Sequence, residues 1–204
     1  PGEGLYFDKD SRVLVNTPRF ARAFEVARTL RRHQLDARVG EWSNDWAEGF
    51  KRGTVAAEMG GAWLVGQLNN WVAPSTKGLW RAAQLPGGAF AAYGGAFYAV
   101  PRHSPAENKA LAWDFIRMMT LDRGRQFAAF KSQDSFPALV DCYDDPFFEE
   151  PLPFLGGQKA RLLWREAALR ITAMPVHKQS TFADEVINTE LDHVLDRGTD
   201  LAHA

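Results

Sequence analysis

Apolar residues recur at three- and four-residue intervals along several stretches of the chain. Phe20, Ala23, Phe24, Ala27 and Leu30 follow Asn16-Thr17-Pro18, where a capping residue precedes proline at the first helical position. This predicts an amphipathic helix from Pro18 to about His33. Ser43-Asn44-Asp45 predicts a cap for a helix running through Phe50 and stopping at Gly53, and Ala62 to Trp71 is again apolar at helical spacing. Ser104-Pro105-Ala106-Glu107 has the capping-box pattern, with Leu111, Phe115 and Met118 as the apolar stripe behind it. A further helix is expected from Leu121 to Phe130, and two long ones from about Phe154 to Ala173 and from Ser180 to Asp196.

Other stretches carry strand signals. Thr54 to Met59 reads as a short strand broken by Gly60-Gly61, and Leu79 to Leu85 and Ala91 to Val100 read as strands on either side of the turn Pro86-Gly87-Gly88. Asp134 to Pro153 holds four prolines and an acidic run, so it is expected to be loop with one short helix. Strands interspersed with helices favour an α/β architecture. The chain contains no internal repeat and no low-complexity segment.

With 204 residues, 46% of them apolar, the chain can bury a sizeable core as one large domain or one lobe of a larger protein. A net charge of −1 and a pI near 6.6 provide no field that would recruit nucleic acid or an anionic membrane, so a neutral or weakly charged partner is expected. No run approaches the ~20 apolar residues of a membrane span, and no membrane insertion is expected. Pro1-Gly2-Glu3-Gly4 has neither an initiator methionine nor the basic and apolar regions of a secretory leader, so an upstream segment is expected to be missing.

Candidate chemistry is sparse. Cys142 is the single cysteine, so no internal disulfide can form, and no Cys/His cluster has zinc-ligand spacing; no metal is expected. The glycine doublets Gly87-Gly88 and Gly94-Gly95 lack the spacing or lysine of nucleotide-binding loops, and no cofactor is expected. There is no G-x-S-x-G elbow and no H-E-x-x-H helix, and the five histidines are scattered. The acidic pairs Asp144-Asp145 and Glu149-Glu150 could suggest a glycosidase, but in a proline-rich loop they read as a solvated surface.

What stands out is seven tryptophans, four of them between positions 42 and 71, near paired glycines. Sugars give a physical reason for that density, because their C–H faces stack on indole rings while their hydroxyls bond to surrounding polar groups. Buried structural tryptophans explain most of the seven equally well, so both readings stand at this point.

The segment Phe50-Lys51-Arg52-Gly53-Thr54-Val55-Ala56-Ala57-Glu58-Met59-Gly60-Gly61-Ala62-Trp63 resembles the signature "F-x-x-G-x-x-A-M-x-x-x-G-x-W" of extracellular solute-binding proteins of the maltose-binding type, although Met59 stands later than the usual methionine. Four more features fall in the family's order: Phe7-Asp8 with its following helix, Leu85-Pro86-Gly87-Gly88, the run Tyr93 to Pro101, and Ala110 to Ile116. The resemblance implies a periplasmic-binding-protein type II fold, in which two α/β lobes close over a ligand, and it covers only the second half of such a protein. It assigns residues 1–90 to the C-terminal lobe, 91–134 to a segment of the N-terminal lobe and 135–204 to the C-terminal lobe again, with crossings near Ala91 and Ser135.

By the same resemblance, Trp63 is the platform on which a sugar ring stacks, the alternative being a core tryptophan at the start of a helix. Gly94 and Gly95 lie against the ligand through their backbone, the alternative being a simple β-bulge. Trp42, Asn44 and Trp46 belong to a loop bordering the cleft, and His177 follows Met174-Pro175 where the family often has a ligand contact. The implied function is non-catalytic: the substrate-binding subunit of an ABC importer, periplasmic or extracellular, capturing a sugar or oligosaccharide for a membrane permease. The rival readings are a carbohydrate-active enzyme using Asp45 or Glu58, and a sensor that kept the fold.

Overall fold

The computed structural model describes residues 4–200. Among them seven α-helices form: α1 (Pro18–Arg32), α2 (Asn44–Arg52), α3 (Trp63–Gln67), α4 (Ala106–Leu121), α5 (Arg123–Gln133), α6 (Ala160–Arg170) and α7 (Ser180–Asp196). α3 runs on into a π-helical turn at Leu68–Val72. Several short 3₁₀ turns, among them Val140–Cys142 and Pro146–Glu149, punctuate the stretch expected to be loop.

Local chemistry sets the helix ends. Ser43 Oγ accepts from the Trp46 N–H at 3.1 Å to open α2, and Gly53, at φ 71, closes it in the left-handed region that glycine adopts without strain. Pro18 opens α1 as the pattern predicts, but the Thr17 hydroxyl donates backwards to the Leu14 carbonyl at 2.6 Å and does not cap the helix. The capping box at Ser104 does not form. Pro105 takes the extended φ −53, ψ 148, so α4 starts at Ala106 and leaves Ser104 one position too early to cap it. α6 starts at Ala160 instead of Phe154 because Gly156 and Gly157, at φ 64 and 85, turn the chain out of any helix. Asp122 separates α4 from α5 and caps the latter through the Arg125 N–H at 2.9 Å.

The three expected strands do not join a sheet. Residues 54–61, 80–85 and 89–101 run without regular structure, and the bridges among the described residues are two isolated antiparallel pairs, Phe7 with Val13 and Leu152 with Gln158. A strand exists only by exchanging backbone hydrogen bonds with a neighbouring strand, and among the described residues these segments have none. The Gln158 amide pairs with the Ala82 peptide in both directions, at 2.8 and 2.7 Å, as an adjacent strand would.

The chain divides into two compact units, one formed by the chain up to Arg38 together with the chain from Thr172, the other by Val39–Ile171. In the first, α1 packs on α7 around buried Phe24 and Val194. α1 is rich in arginine and α7 in acids, and Arg31 joins Asp36 at 2.5 Å and also Asp196. Tyr6, almost fully buried, donates its hydroxyl to Asp184 on α7. Burial and that hydrogen bond push its phenol up to about 12.

The second unit has two apolar clusters. One gathers Trp46 and Phe50 of α2 with Leu64, Leu68 and Val72 of the α3 segment, closed by Leu152, Phe154 and Leu155. The other packs Phe127 and Phe130 of α5 against Cys142, Tyr143, Phe147 and Phe148. Asp134 ends α5 at φ 51, and its buried carboxylate meets buried Arg161 at 3.2 Å, whose guanidinium lies 3.8 Å from the Phe147 ring centre. Burial pushes the Asp134 carboxyl above the ordinary carboxylate range, and Arg161 opposes it. Gly66 lets α3 lie directly on the end of α5, since a Cβ there would overlap the Gln133 carbonyl.

Candidate ligand-binding site

Within the second unit, the loop before α2 and the start of α3 bring aromatic rings together. Trp42 takes a left-handed backbone, φ 66, immediately before the Ser43 cap. That conformation is costly for a bulky residue and recurs where geometry serves function. The Trp42 ring centre lies 5.0 Å from Trp46 and 5.7 Å from Trp63, nearly parallel to the latter at 28°. Trp63 in turn stacks at 24° on Tyr93, 6.2 Å away. Trp42 and Tyr93 are each about half exposed, whereas Trp63 is partly buried.

Trp46 faces the other way. It is 4% exposed, sits edge-on to Phe50 in the core, and its indole N–H donates to Glu58 Oε2 at 3.3 Å. Asn44 is the exposed first residue of α2. Gly94 and Gly95, at φ 74 and 143, are exposed, and nothing lies within 4 Å of where a Cβ would stand, so a ligand can approach their backbone closely. His177 belongs to the first unit, where its ring lies 4.3 Å from Phe7 and its Nδ1 accepts from the Gln179 N–H at 3.2 Å.

Two residues that sequence reasoning left out of the site join it here. The Tyr93 hydroxyl donates to Glu41, with both carboxylate oxygens at 2.9 Å, and this hydrogen bond holds its phenol above the ordinary value. Both flank residues already singled out, Glu41 beside Trp42 and Tyr93 beside Gly94, which was the available signal. Trp63 also forms one wall of a cleft of about 540 Å³, whose other walls include Gln67, Asn70 and Trp71 along the same helix and Gln133 and Ser135 at the end of α5. Nothing local in the sequence joins 63–71 to 133–135.

The arrangement offers ring faces, amides and open backbone, the equipment for holding a small polar molecule. Among the described residues no three His, Cys, Asp or Glu side chains converge as a metal site would require, and no helix is long and apolar enough to cross a membrane.

The family model for bacterial extracellular solute-binding proteins matches residues 2–153, and the chain belongs to that family. Among solved structures, the chain is similar to the ABC transporter associated binding protein from B. animalis subsp. lactis Bl-04 in complex with beta-1,6-galactobiose, with 21% identity and a TM-score of 0.68. The match covers 96% of this chain and 50% of that one, so this chain spans half the length of the protein whose fold it shares. That likeness agrees with the periplasmic-binding-protein fold expected above. No curated protein sequence matches the chain.

Proposed function

We propose that this chain is part of the substrate-binding subunit of an ABC importer and captures a sugar or oligosaccharide, outside the cytoplasmic membrane, for delivery to a permease. The observation that carries the reading is the aromatic surface of Trp42, Trp63 and Tyr93 next to the open backbone of Gly94-Gly95. Indole and phenol faces match the C–H faces of a pyranose, and backbone amides and the Glu41 carboxylate match its hydroxyls. The similar solved protein holds a galactose disaccharide, and membership of an extracellular solute-binding family supports both the role and the location. The role is binding without chemistry, in keeping with a family of binding proteins and a similar structure that is itself a binding protein.

In the complete two-lobed protein, residues 1–90 and 135–204 belong to one lobe and 91–134 to the other. The first part of the segment supports this division, for residues 91–100 run exposed and unpaired for most of their length and none of α4 is fully buried, whereas α5 at its end packs Phe127 and Phe130 against residues 142–148. Asn44 is a secondary contact in this scheme.

The test is Trp63→Ala in the full-length protein, read by calorimetric titration with β-1,6-galactobiose and maltose. Loss of stacking and of buried apolar area is expected to cost roughly 1–3 kcal/mol, about one to two decades in Kd. Unchanged affinity would remove Trp63 from the site.

A further inference from the structure

We infer that Glu41 is a positioning residue of the binding site, whose hydrogen bond sets the Tyr93 ring against Trp63 before a ligand arrives. The inference rests on the sugar-capture reading and adds to it a residue that acts on affinity through its neighbour.

Glu41 and Trp42 are the two central residues of a tight turn, which the Ser43 N–H closes by donating to the Gly40 carbonyl at 3.2 Å. Trp42 takes the second central position, where φ is 66, and leads directly into the Ser43 cap of α2. Consecutive side chains of this one turn reach two members of the aromatic set. The Trp42 ring lies 5.7 Å from Trp63, and the Glu41 carboxylate accepts from the Tyr93 hydroxyl with both oxygens at 2.9 Å. Tyr93 in turn lies within 24° of parallel to Trp63. A turn closed by its own hydrogen bond, with a helix cap behind it, is a rigid mount for both contacts.

The three rings differ in what holds them. Trp63 packs against the apolar cluster built on α2 and α3, and Trp42 is set by the turn. Tyr93 has neither support. It lies in residues 89–101, which run without regular structure, and Gly94 and Gly95 follow it at φ 74 and 143. Such a backbone leaves the ring many orientations, so contacts of the Tyr93 side chain itself must select one. Stacking on Trp63 sets the plane of the ring, and the carboxylate sets the direction in which its hydroxyl points. A hydrogen bond to a charged acceptor is about twice as strong as one between neutral groups. A ring aligned in advance spares the ligand the cost of aligning it. If loss of the hydrogen bond leaves the competent orientation populated about a tenth of the time, the apparent Kd rises about tenfold.

The experiment is calorimetric titration of the full-length protein with β-1,6-galactobiose and with maltose, together with a Tm for each variant. The variants are Glu41→Ala, Glu41→Gln, Tyr93→Phe and the double variant Glu41→Ala with Tyr93→Phe. Glu41→Ala and Tyr93→Phe are each expected to weaken the disaccharide that the parent binds about tenfold, at unchanged Tm. The double variant is expected to fall well short of the roughly hundredfold loss that independent contributions would give, because both changes remove the same hydrogen bond. Glu41→Gln keeps an acceptor for the hydroxyl and is expected to recover affinity to within about threefold of the parent. Losses that multiply in the double variant, a Tyr93→Phe variant that binds like the parent, or a Glu41→Gln loss as large as that of Glu41→Ala would each overturn the positioning role and leave sugar capture standing. A Tm that falls in parallel with affinity would overturn it in the same way. A parent that binds neither disaccharide overturns the sugar reading itself, and this inference with it.

Discussion

Gly66→Ala sets two well-defined effects against each other. Inside a helix, alanine is favoured over glycine by about 1 kcal/mol, so on propensity alone the change should stabilise α3. The structure opposes this: the new methyl would overlap the Gln133 carbonyl and crowd the Asp134 N–H. These are backbone atoms at the end of α5, so no side chain can rotate away, and α3 and α5 must separate. Forcing one extra carbon into a packed contact costs roughly 1–3 kcal/mol, more where backbone must move. Separation also disturbs Asp134, already held in a left-handed conformation against Arg161. With the cost at the upper end of that range because backbone must move, about 2–3 kcal/mol, the net loss after the propensity gain of about 1 kcal/mol is about 1–2 kcal/mol, a fall in Tm of a few degrees for a unit of this size. Urea and thermal unfolding of the two proteins measure it directly. A Tm equal to or above that of the parent would show that the α3–α5 contact is looser than described, and would weaken the account of the cleft whose walls it fixes.

Two further expectations follow from buried groups. Because the Tyr6 phenol is raised from 10 to about 12, its stabilising contribution is fully present below pH 10 and is lost as pH rises towards 12. Stability measured across that window is expected to fall, and Tyr6→Phe to lower stability by about 1 kcal/mol at neutral pH while flattening the alkaline loss; an equally steep loss in the variant would place its origin elsewhere. Cys142 is fully buried and burial pushes its thiol up, so alkylation by iodoacetamide is expected only as fast as the protein opens, and rapid labelling under native conditions would contradict that burial.

The helices are the most legible part of the chain. α7 has the bounds its pattern predicts, and the Ser43 cap and the Gly53 stop of α2 are both in place, because those signals act within one turn. The start of α6 is not legible, because apolar Phe154 and Leu155 continue the helical spacing while Gly156-Gly157 forbid the backbone from following it. The expected strands fail to form for a different reason. Alternation in a segment such as Leu79 to Leu85 records how it could pair, not whether a partner is present, and here Gln158 alone supplies one peptide's worth of pairing.

The same distinction governs the site. The crowding of Trp42, Trp46 and Trp63 in the sequence becomes crowding in space, because one helix and one loop connect them. Trp46 turns into the core and its indole meets Glu58, while Trp42 stands half exposed on a left-handed backbone, a division that no local pattern reveals. The cleft is less legible still, for it depends on α3 meeting the end of α5 about 65 residues later, through a glycine whose only sequence-level mark is its poor helix propensity.

Capture of a sugar is tested most directly by intrinsic tryptophan fluorescence of the full-length protein, since Trp42 and Trp63 both stand at the surface assigned to the ligand. Titration with galactose, β-1,6-galactobiose, glucose, maltose and, as a charged control, leucine is predicted to give a saturable change with at least one saccharide and none with leucine. A flat response to all four sugars, or saturation by leucine alone, would contradict it.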